Sequence, residues 1–387
     1  MNQGKYVFAQ LAEFLPQRVF DTIVQKYDGD KYVRHFTCWN QLLCMLFGQL
    51  TNRESLRDLV VTLEAHSKKS YHLGLGKSVT RSNLAKANVN RSSKIFEEYA
   101  YHLIRIARTK RANQDFQIKG KAYAFDSTTI DLCMSVFWWA EFRRTKSGIK
   151  IHTLFDITTQ IPAFVHITPA KVNDMIAMDE ISYERDAYYV FDRGYVDFGR
   201  LYKITTLGAF FVIRAKTTLK FSRLYSAKVD KESGVLYDQI GKLTGFYSLK
   251  DYPEKLRRIK YYDEGTEKTF IFLTNNMALT ALEVALLYKN RWQIELFFKW
   301  IKQHLKIKAF WGTSENAVRI QVNSAIIAYC LVAIVASELK VERSTYEILQ
   351  VIGISLFDKT SVKELLDNTN LDQMQGQKDK QLKISFI

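Results

Sequence analysis

Two short apolar runs near the middle of the chain, "AYAF" up to Phe125 and "AYYVF" up to Phe191, each stop at an aspartate, Asp126 and Asp192. Runs this short and this rich in aromatic and β-branched residues read as buried strands. Around them the pattern alternates. "KAYAFDSTTI" reads as a strand, and "GIKIHTLFDITTQIPAFVHITP" as two strands joined by a turn around Thr158 to Pro162. "AYYVF" is a further strand, "FGRLYKITTLG" an amphipathic helix, and "AFFVIRAK" a strand again. The alternation predicts an α/β sheet with helices packed on it. Acids at the ends of neighbouring strands would point into one crevice beyond the sheet, where irregular backbone leaves room for a ligand.

Before this region, from Phe8 to about Arg108, apolar residues recur three and four apart, as in "WNQLLCMLFGQL" and "ESLRDLVVTLEAH". The second of these is expected to begin at Thr51-Asn52, whose side chains suit an N-cap. A Gly-bearing break then leads to a short helix carrying Arg81, Asn83, Lys86, Asn88 and Arg91. This is compatible with a helix-turn-helix reader of DNA, and equally with a plain helical bundle. After the α/β pattern, residues 217–268 are polar and basic with isolated aromatics, which suggests a β-rich insertion. The strand-like "KTFIFLTNN" follows, then a long helix from about Leu279 to Leu305. The expected organisation is an all-helical N-terminal domain (1–115), an α/β domain (116–340) interrupted by the insertion, and a C-terminal helical segment and tail (341–387).

Charge narrows the partners. The chain of 387 residues carries 56 Lys+Arg against 40 Asp+Glu, a formal +16. An excess of this size favours a polyanion, because each phosphate neutralised releases counterions, although a basic solvated surface is the plainer alternative. Cys38, Cys44, Cys133 and Cys330 lack metal-ligand spacing and read as reduced core residues. The N-terminus has no signal-peptide pattern. "SAIIAYCLVAIVAS" falls short of the roughly 18 residues that a membrane span needs, so a buried helix is expected. Together these features point to the cytoplasm. No Gly-rich phosphate loop or nucleophile elbow is present, which argues against ATPase, dinucleotide-binding and serine-hydrolase functions.

The stretch "YKNRWQIELFFKWIKQHLKIK" holds six lysines and arginines around one acid, Glu295. On an ideal helix Tyr288, Arg291, Glu295 and Lys302 fall within roughly 60°, with Lys306 beside them, while Ile294, Phe297, Phe298, Ile301 and Leu305 form a separate apolar stripe. The plain reading is an i,i+4 pair between Arg291 and Glu295. The remaining cations, Lys299 among them, would still lack a partner, and a phosphate backbone supplies one. Asp126, Asp192 and Glu295 then form a set of hard oxygen ligands suited to Mg²⁺ or Mn²⁺, two of which could drive in-line phosphoryl displacement. Turn or cap roles compete for Asp126 and Asp192. Asp131, Asp156, Asp174, Asp186 and Asp197 are rival acids nearby, and His152 and His166 read as core or surface histidines.

Tyr-x2-Arg-x3-Glu-x6-Lys, here Tyr288, Arg291, Glu295 and Lys302, resembles the signature of bacterial insertion-sequence transposases of the insertion sequence 4 family. "AFDST" and "VFDRGY" are similar to that family's two aspartate motifs, and "ITPAKVNDM" between them also resembles it. The resemblance covers roughly Lys121 to Leu305. It implies an RNase H-like catalytic domain with a β-rich insertion, and a metal triad of Asp126, Asp192 and Glu295 holding two Mg²⁺ ions, or Mn²⁺. Tyr288, Arg291 and Lys302 would meet phosphates near the cleaved end, with Lys299 and Lys306 as further DNA contacts. It also implies double-stranded DNA partners (inverted-repeat ends and target), a homodimer on paired ends, an N-terminal domain that helps to recognise them, and a nucleoid-associated bacterial protein. Insertion aromatics would stack on a flipped base. The implied activity is cut-and-paste transposition. A nuclease that hydrolyses without joining strands and a catalytically inactive DNA-binding descendant are the alternatives.

Overall fold

A computed structural model describes residues 4–76, 79–111, 118–133, 135–143, 146–304 and 310–367. Helices α1 (Val7–Ala12), α2 (Gln17–Lys26), α3 (Cys38–Leu50), α4 (Leu56–Ala65), α5 (Arg81–Asn90) and α6 (Ser93–Arg111) come first. Next are strands β1 (Ala122–Leu132), β2 (Glu141–Arg143), β3 (Lys146–Asp156) and β4 (Ile161–Pro169), the short helix α7 (Asp174–Ala177), strand β5 (Tyr188–Phe191), helix α8 (Phe198–Thr206) and strand β6 (Phe210–Arg214). Strands β7 (Phe221–Ala227) and β8 (Val235–Leu243) precede helix α9 (Phe246–Asp251), and β9 (Leu256–Asp263) and β10 (Lys268–Thr274) complete the sheet. Helices α10 (Ala281–Asn290), α11 (Trp292–His304), α12 (Glu315–Glu338), α13 (Thr345–Ser355) and α14 (Val362–Leu366) follow.

The chain divides into two compact units, Met1–Arg111 with Trp300–Ile387, and Ala112–Lys299. The expected boundaries at 115 and 340 partition it differently, because 300–340 groups with the N-terminal helices. In that helical unit α12 is the central element, buried from Ala317 to Ala336 among α6, α3 and α5. By length and composition it could cross a membrane, but 94% of its most apolar window is buried in the protein. Just before α12, Trp311 packs closely on α3, where a Cβ added at Gly48 would stand 2.4 Å from its ring. Helix α4 starts at Ser55 rather than at Thr51-Asn52, since the Ser55 hydroxyl accepts the Asp58 amide. Asn88 and Arg91, placed among possible DNA readers, turn inward: Asn88 Oδ1 accepts from Gln41, and Arg91 donates to the carbonyls of Phe36 and Thr37. Arg81, Asn83 and Lys86 are not among the buried residues of α5.

The second unit is built on one ten-stranded sheet, ordered β2-β3-β1-β5-β6-β10-β9-β8-β7, with β4 also paired to β3. β4, β3 and β1 are antiparallel neighbours, and β5 and β6 then run parallel to β1. The strands of 217–268 add to this same sheet, because β10 pairs with β6 and carries β9, β8 and β7 outward. Tyr123, Phe125, Tyr189, Phe191, Phe211 and Ile213 fill the core between the sheet and α8. Their near-continuous apolar lettering follows from parallel strands buried on both faces. β7 is the edge strand, with Ser222 to Ala227 exposed.

Candidate active site

The parallel ladder fixes the first two acids. β1 and β5 pair from Ala122↔Tyr188 to Phe125↔Phe191, and the pairing stops there. Asp126 and Asp192 are the next residue on each strand, so both emerge at one level beyond the ladder. Asp192 does follow the last residue of its strand, as expected. Asp126 does not: β1 continues to Leu132, because β3 keeps pairing with it from Thr153 back to Ser147. What ends beside Asp126 is its β5 neighbour. The chain then turns through Arg193–Tyr195, held by the Tyr195 amide on the Asp192 carbonyl at 3.0 Å. That turn buries the Tyr195 ring and brings its hydroxyl to Asp126 Oδ1, 3.4 Å away.

Glu295 arrives on α11. The single helix expected over 279–305 is interrupted at Arg291, where the Arg291 amide bonds back to Tyr288 and the Ile294 amide to Arg291, each at 3.1 Å. Those three-residue steps tighten the backbone, a change that a 3.6-residue period does not anticipate. At this joint the Arg291 guanidinium donates through Nη1 to Asp126 Oδ2 at 3.3 Å and through Nη2 to Glu295 Oε1 at 2.6 Å. The Tyr288 hydroxyl donates to Asp192 Oδ1 at 3.0 Å. The i,i+4 pair therefore exists, but it is one half of a bridge. The structure joins Asp126 and Glu295 through Arg291, and ties Asp192 to Tyr288 on the same segment.

The electrostatics follow from partial burial. Asp126 is held above the usual carboxylate range, first by burial and then by the charges of Glu295 and Asp192, against the opposing Ser127 amide and Arg291. Burial pushes the Tyr288 phenol up to about 12. Arg291 stays cationic: burial works against its charge, yet Tyr288, Glu295 and Asp126 raise its pKa above the ordinary value. Its side chain is 14% exposed, while that of Glu295 is 57% exposed, so the glutamate end of the bridge is easily released to water or ligand.

Lys299 is exposed on α11, and Lys302 lies further along the same helix in the portion that groups with the helical unit. Lys306 falls outside the described residues. Two of the rival acids, Asp156 and Asp197, have structural occupations. Asp156 accepts the Thr158 and Thr159 amides, Asp197 caps α8, Asp186 sits at φ 61° in a turn, and Asp131 is exposed on β1. His166 stacks beside Phe164, and His152 is fully buried.

Asp126 and Glu295, bridged by Arg291, with Asp192 on Tyr288 of the same segment, make a hard, net-anionic donor set. The pKa of Asp126 is raised first by burial and further by the charges of Glu295 and Asp192, and a divalent cation would favour its ionised form. By chemistry the residues fit such an ion. Among the described residues, no three His, Cys, Asp or Glu side chains already stand close enough to form a metal cage. A cavity of about 410 Å³ opens against Asp192, Glu295 and Arg291, with walls from Tyr261, Phe270, Phe272, Tyr288 and Trp292 and with Arg214 and Lys289 at its border. Tyr195, Ser127 and Arg214 were not singled out from the sequence. The signal for Tyr195 was its place in "DRGY", and for Arg214 the basic residue closing the apolar run "AFFVI"; the structure puts it one residue beyond the Phe191↔Ile213 pair.

Three comparisons relate the chain to known proteins. A family model described as a transposase DDE domain matches residues 118–331, and one described as a domain of unknown function matches residues 3–76. The chain is 37% identical over 273 residues to a protein named as a transposase, y4zB, of Sinorhizobium fredii, covering 69% of this chain and 74% of that one. It is 27% identical over 207 residues to a protein named as a transposase for insertion sequence element IS5377 of Geobacillus stearothermophilus, covering 53% and 54%. A solved piggyBac transposase synaptic complex with hairpin DNA aligns over 97% of this chain and 85% of that chain at 11% identity, with a TM-score of 0.47.

Proposed function

Because the chain belongs to the transposase DDE domain family and is a DNA transposase, we propose that Asp126, Asp192 and Glu295 are the acids that carry its phosphodiester chemistry. The observation that carries this reading is the register of the β1/β5 ladder, which ends on both sides immediately before the two aspartates. The order of strands supports an RNase H-like sheet: three antiparallel strands, then two parallel to the first.

The three acids would hold Mg²⁺, or Mn²⁺, as two ions. Bound there, the ions would supply Lewis-acid polarisation of the phosphoryl oxygens and activation of the attacking hydroxyl. The remaining work belongs to the chain. Tyr288 orients Asp192 through its hydroxyl, and Arg291 neutralises Asp126 and Glu295 and offers its guanidinium to phosphate. Lys299 and Lys302 on α11 offer further cations to the DNA backbone, and Lys306 is assigned the same role from the sequence alone. The cavity beside the acids receives a base unstacked from the transposon end, with Tyr261 and Trp292 as stacking surfaces.

The reaction then runs in two parts. Water attacks the phosphodiester at the end of the element and releases a 3′-hydroxyl. That hydroxyl attacks a phosphodiester of the target, forming one P–O bond as another breaks. Double-stranded inverted-repeat ends and target DNA are the partners, and a homodimer pairs the two ends. The helical N-terminal unit, whose groove of about 510 Å³ is bordered by Lys31, Arg34, His35 and Lys86, assists in holding DNA in the bacterial cytoplasm.

The test is a joining assay with the purified protein, Mg²⁺, its own inverted-repeat ends and a target plasmid. Joined product is expected from the parent protein and none from Glu295→Gln. Cleavage without joining would favour a nuclease, and undiminished joining by Glu295→Gln would remove that residue from the triad.

A further inference from the structure

A fourth carboxylate lies one step behind Asp126. Asp174 opens the short helix α7, and its Oδ1 accepts the Ser127 hydroxyl at 2.8 Å and pairs with the Lys150 ammonium at 3.2 Å. Lys150 also donates to the Val172 carbonyl at 2.8 Å, and its side chain is only 13% exposed. The fully buried His152 ring stands 3.6 Å from the same oxygen through Nδ1, with Nε2 at 2.9 Å from the Thr168 hydroxyl. These groups reach Asp174 because β3 pairs Ser127 with His152 and Thr129 with Lys150, and because β4 pairs Thr168 with Lys150.

The far side of the network touches the proposed acid. The Ser127 amide donates to Asp126 Oδ1 at 2.8 Å, and the Tyr195 hydroxyl bonds both Asp126 and the Ser127 side chain. Asp126 therefore meets β3 through a chain of polar partners, Lys150 on Asp174, Asp174 on Ser127, and Ser127 with Tyr195 on Asp126, with the buried His152 ring alongside Asp174. Lys150 fixes the Asp174 carboxylate by an ion pair, and that carboxylate accepts the hydroxyl of the serine beside the acid.

We propose that Asp174 is a positioning residue for the transposition chemistry, acting through Ser127 and Tyr195 to hold the Asp126 carboxylate in the orientation that takes the divalent ion. This rests on the reading of Asp126 as a catalytic acid. Groups that orient a metal ligand typically change metal affinity or activity about 10- to 100-fold when removed.

The experiment compares Asp174→Asn, Ser127→Ala, Ser127→Thr and Asp126→Asn in the full-length protein, with Mg²⁺ titrations of the DNA-free protein by calorimetry and of end cleavage. Asp174→Asn and Ser127→Ala are each expected to keep end-DNA affinity and to weaken Mg²⁺ binding about tenfold or more. The Mg²⁺ concentration for half-maximal cleavage should rise in parallel, and Mn²⁺ should restore part of the rate. The double variant should be no worse than either single one, since both break the same link. Ser127→Thr, which keeps the hydroxyl, should behave as the parent. If Asp174→Asn does not fold, the Ser127 pair decides alone, and equal Mg²⁺ dependence of Ser127→Ala and Ser127→Thr would overturn the proposal. Parent-like Mg²⁺ dependence of Asp174→Asn alongside a dead Asp126→Asn would reject the positioning role and leave the triad standing. An active Asp126→Asn would reject the triad assignment and this role with it.

Discussion

At Asp126 burial and two neighbouring carboxylates oppose ionisation, Arg291 and the Ser127 amide favour it, and the opposing group prevails. The sign of the effect on stability follows. A carboxyl whose pKa is raised by folding adds stability when protonated and loses that contribution as pH rises through the folded value. Asp126→Asn should therefore unfold at a higher temperature than the parent at pH 7. The gain should shrink as pH falls toward about 4, where the carboxyl protonates in both states. A thermal-melt series across pH measures this, and an equal or lower Tm for Asp126→Asn at pH 7 would contradict it. Tyr288 admits a cleaner substitution: Tyr288→Phe removes the hydroxyl on Asp192 and keeps the ring against Phe272. End cleavage should fall about tenfold or more without loss of Tm, read by single-turnover kinetics.

Among the elements, the parallel ladder between β1 and β5 and the joint at Arg291 set the site, and the two differ in how far the sequence reveals them. The strands leading into Asp126 and Asp192 were legible along the chain, because short apolar runs reaching aspartates leave a local trace, whereas the order of strands within the sheet was not. The extension of β1 to Leu132 was not, since it depends on β3 continuing to pair with it, a contact between distant segments. The break between α10 and α11 was hidden for another reason: Tyr288, Arg291 and Glu295 keep helical spacing, and only the shortened backbone bonds mark the joint. Asp174 stood among the rival acids, with nothing in the sequence to join it to Ser127. Gly241 is a test at this scale. A Cβ there would lie 2.0 Å from the Ser222 carbonyl across the β7/β8 pair, so Gly241→Ala must part the two strands. A loss of about 1–3 kcal/mol in chemical denaturation is expected, and unchanged stability would show that this register is not required.

For the whole molecule the governing quantity is the formal +16. Affinity for end DNA should fall linearly on a log–log plot against salt, and Lys302→Ala should lower the slope by about one. Identical slopes for parent and variant would take Lys302 out of the phosphate contacts. The edge strand β7 has a further effect in solution. It ends the sheet with a row of backbone donors and acceptors that no further strand takes up among the described residues, and it exposes Leu224 and Tyr225 beside Arg223. Such a rim is a template for another chain, and cations beside it, Arg223 among them, would discourage copies from joining along it. The same salt that strips DNA from the protein also weakens that guard. Colloidal stability and DNA affinity are thus coupled through one set of charges, and the protein should keep best when bound to the polyanion it acts on.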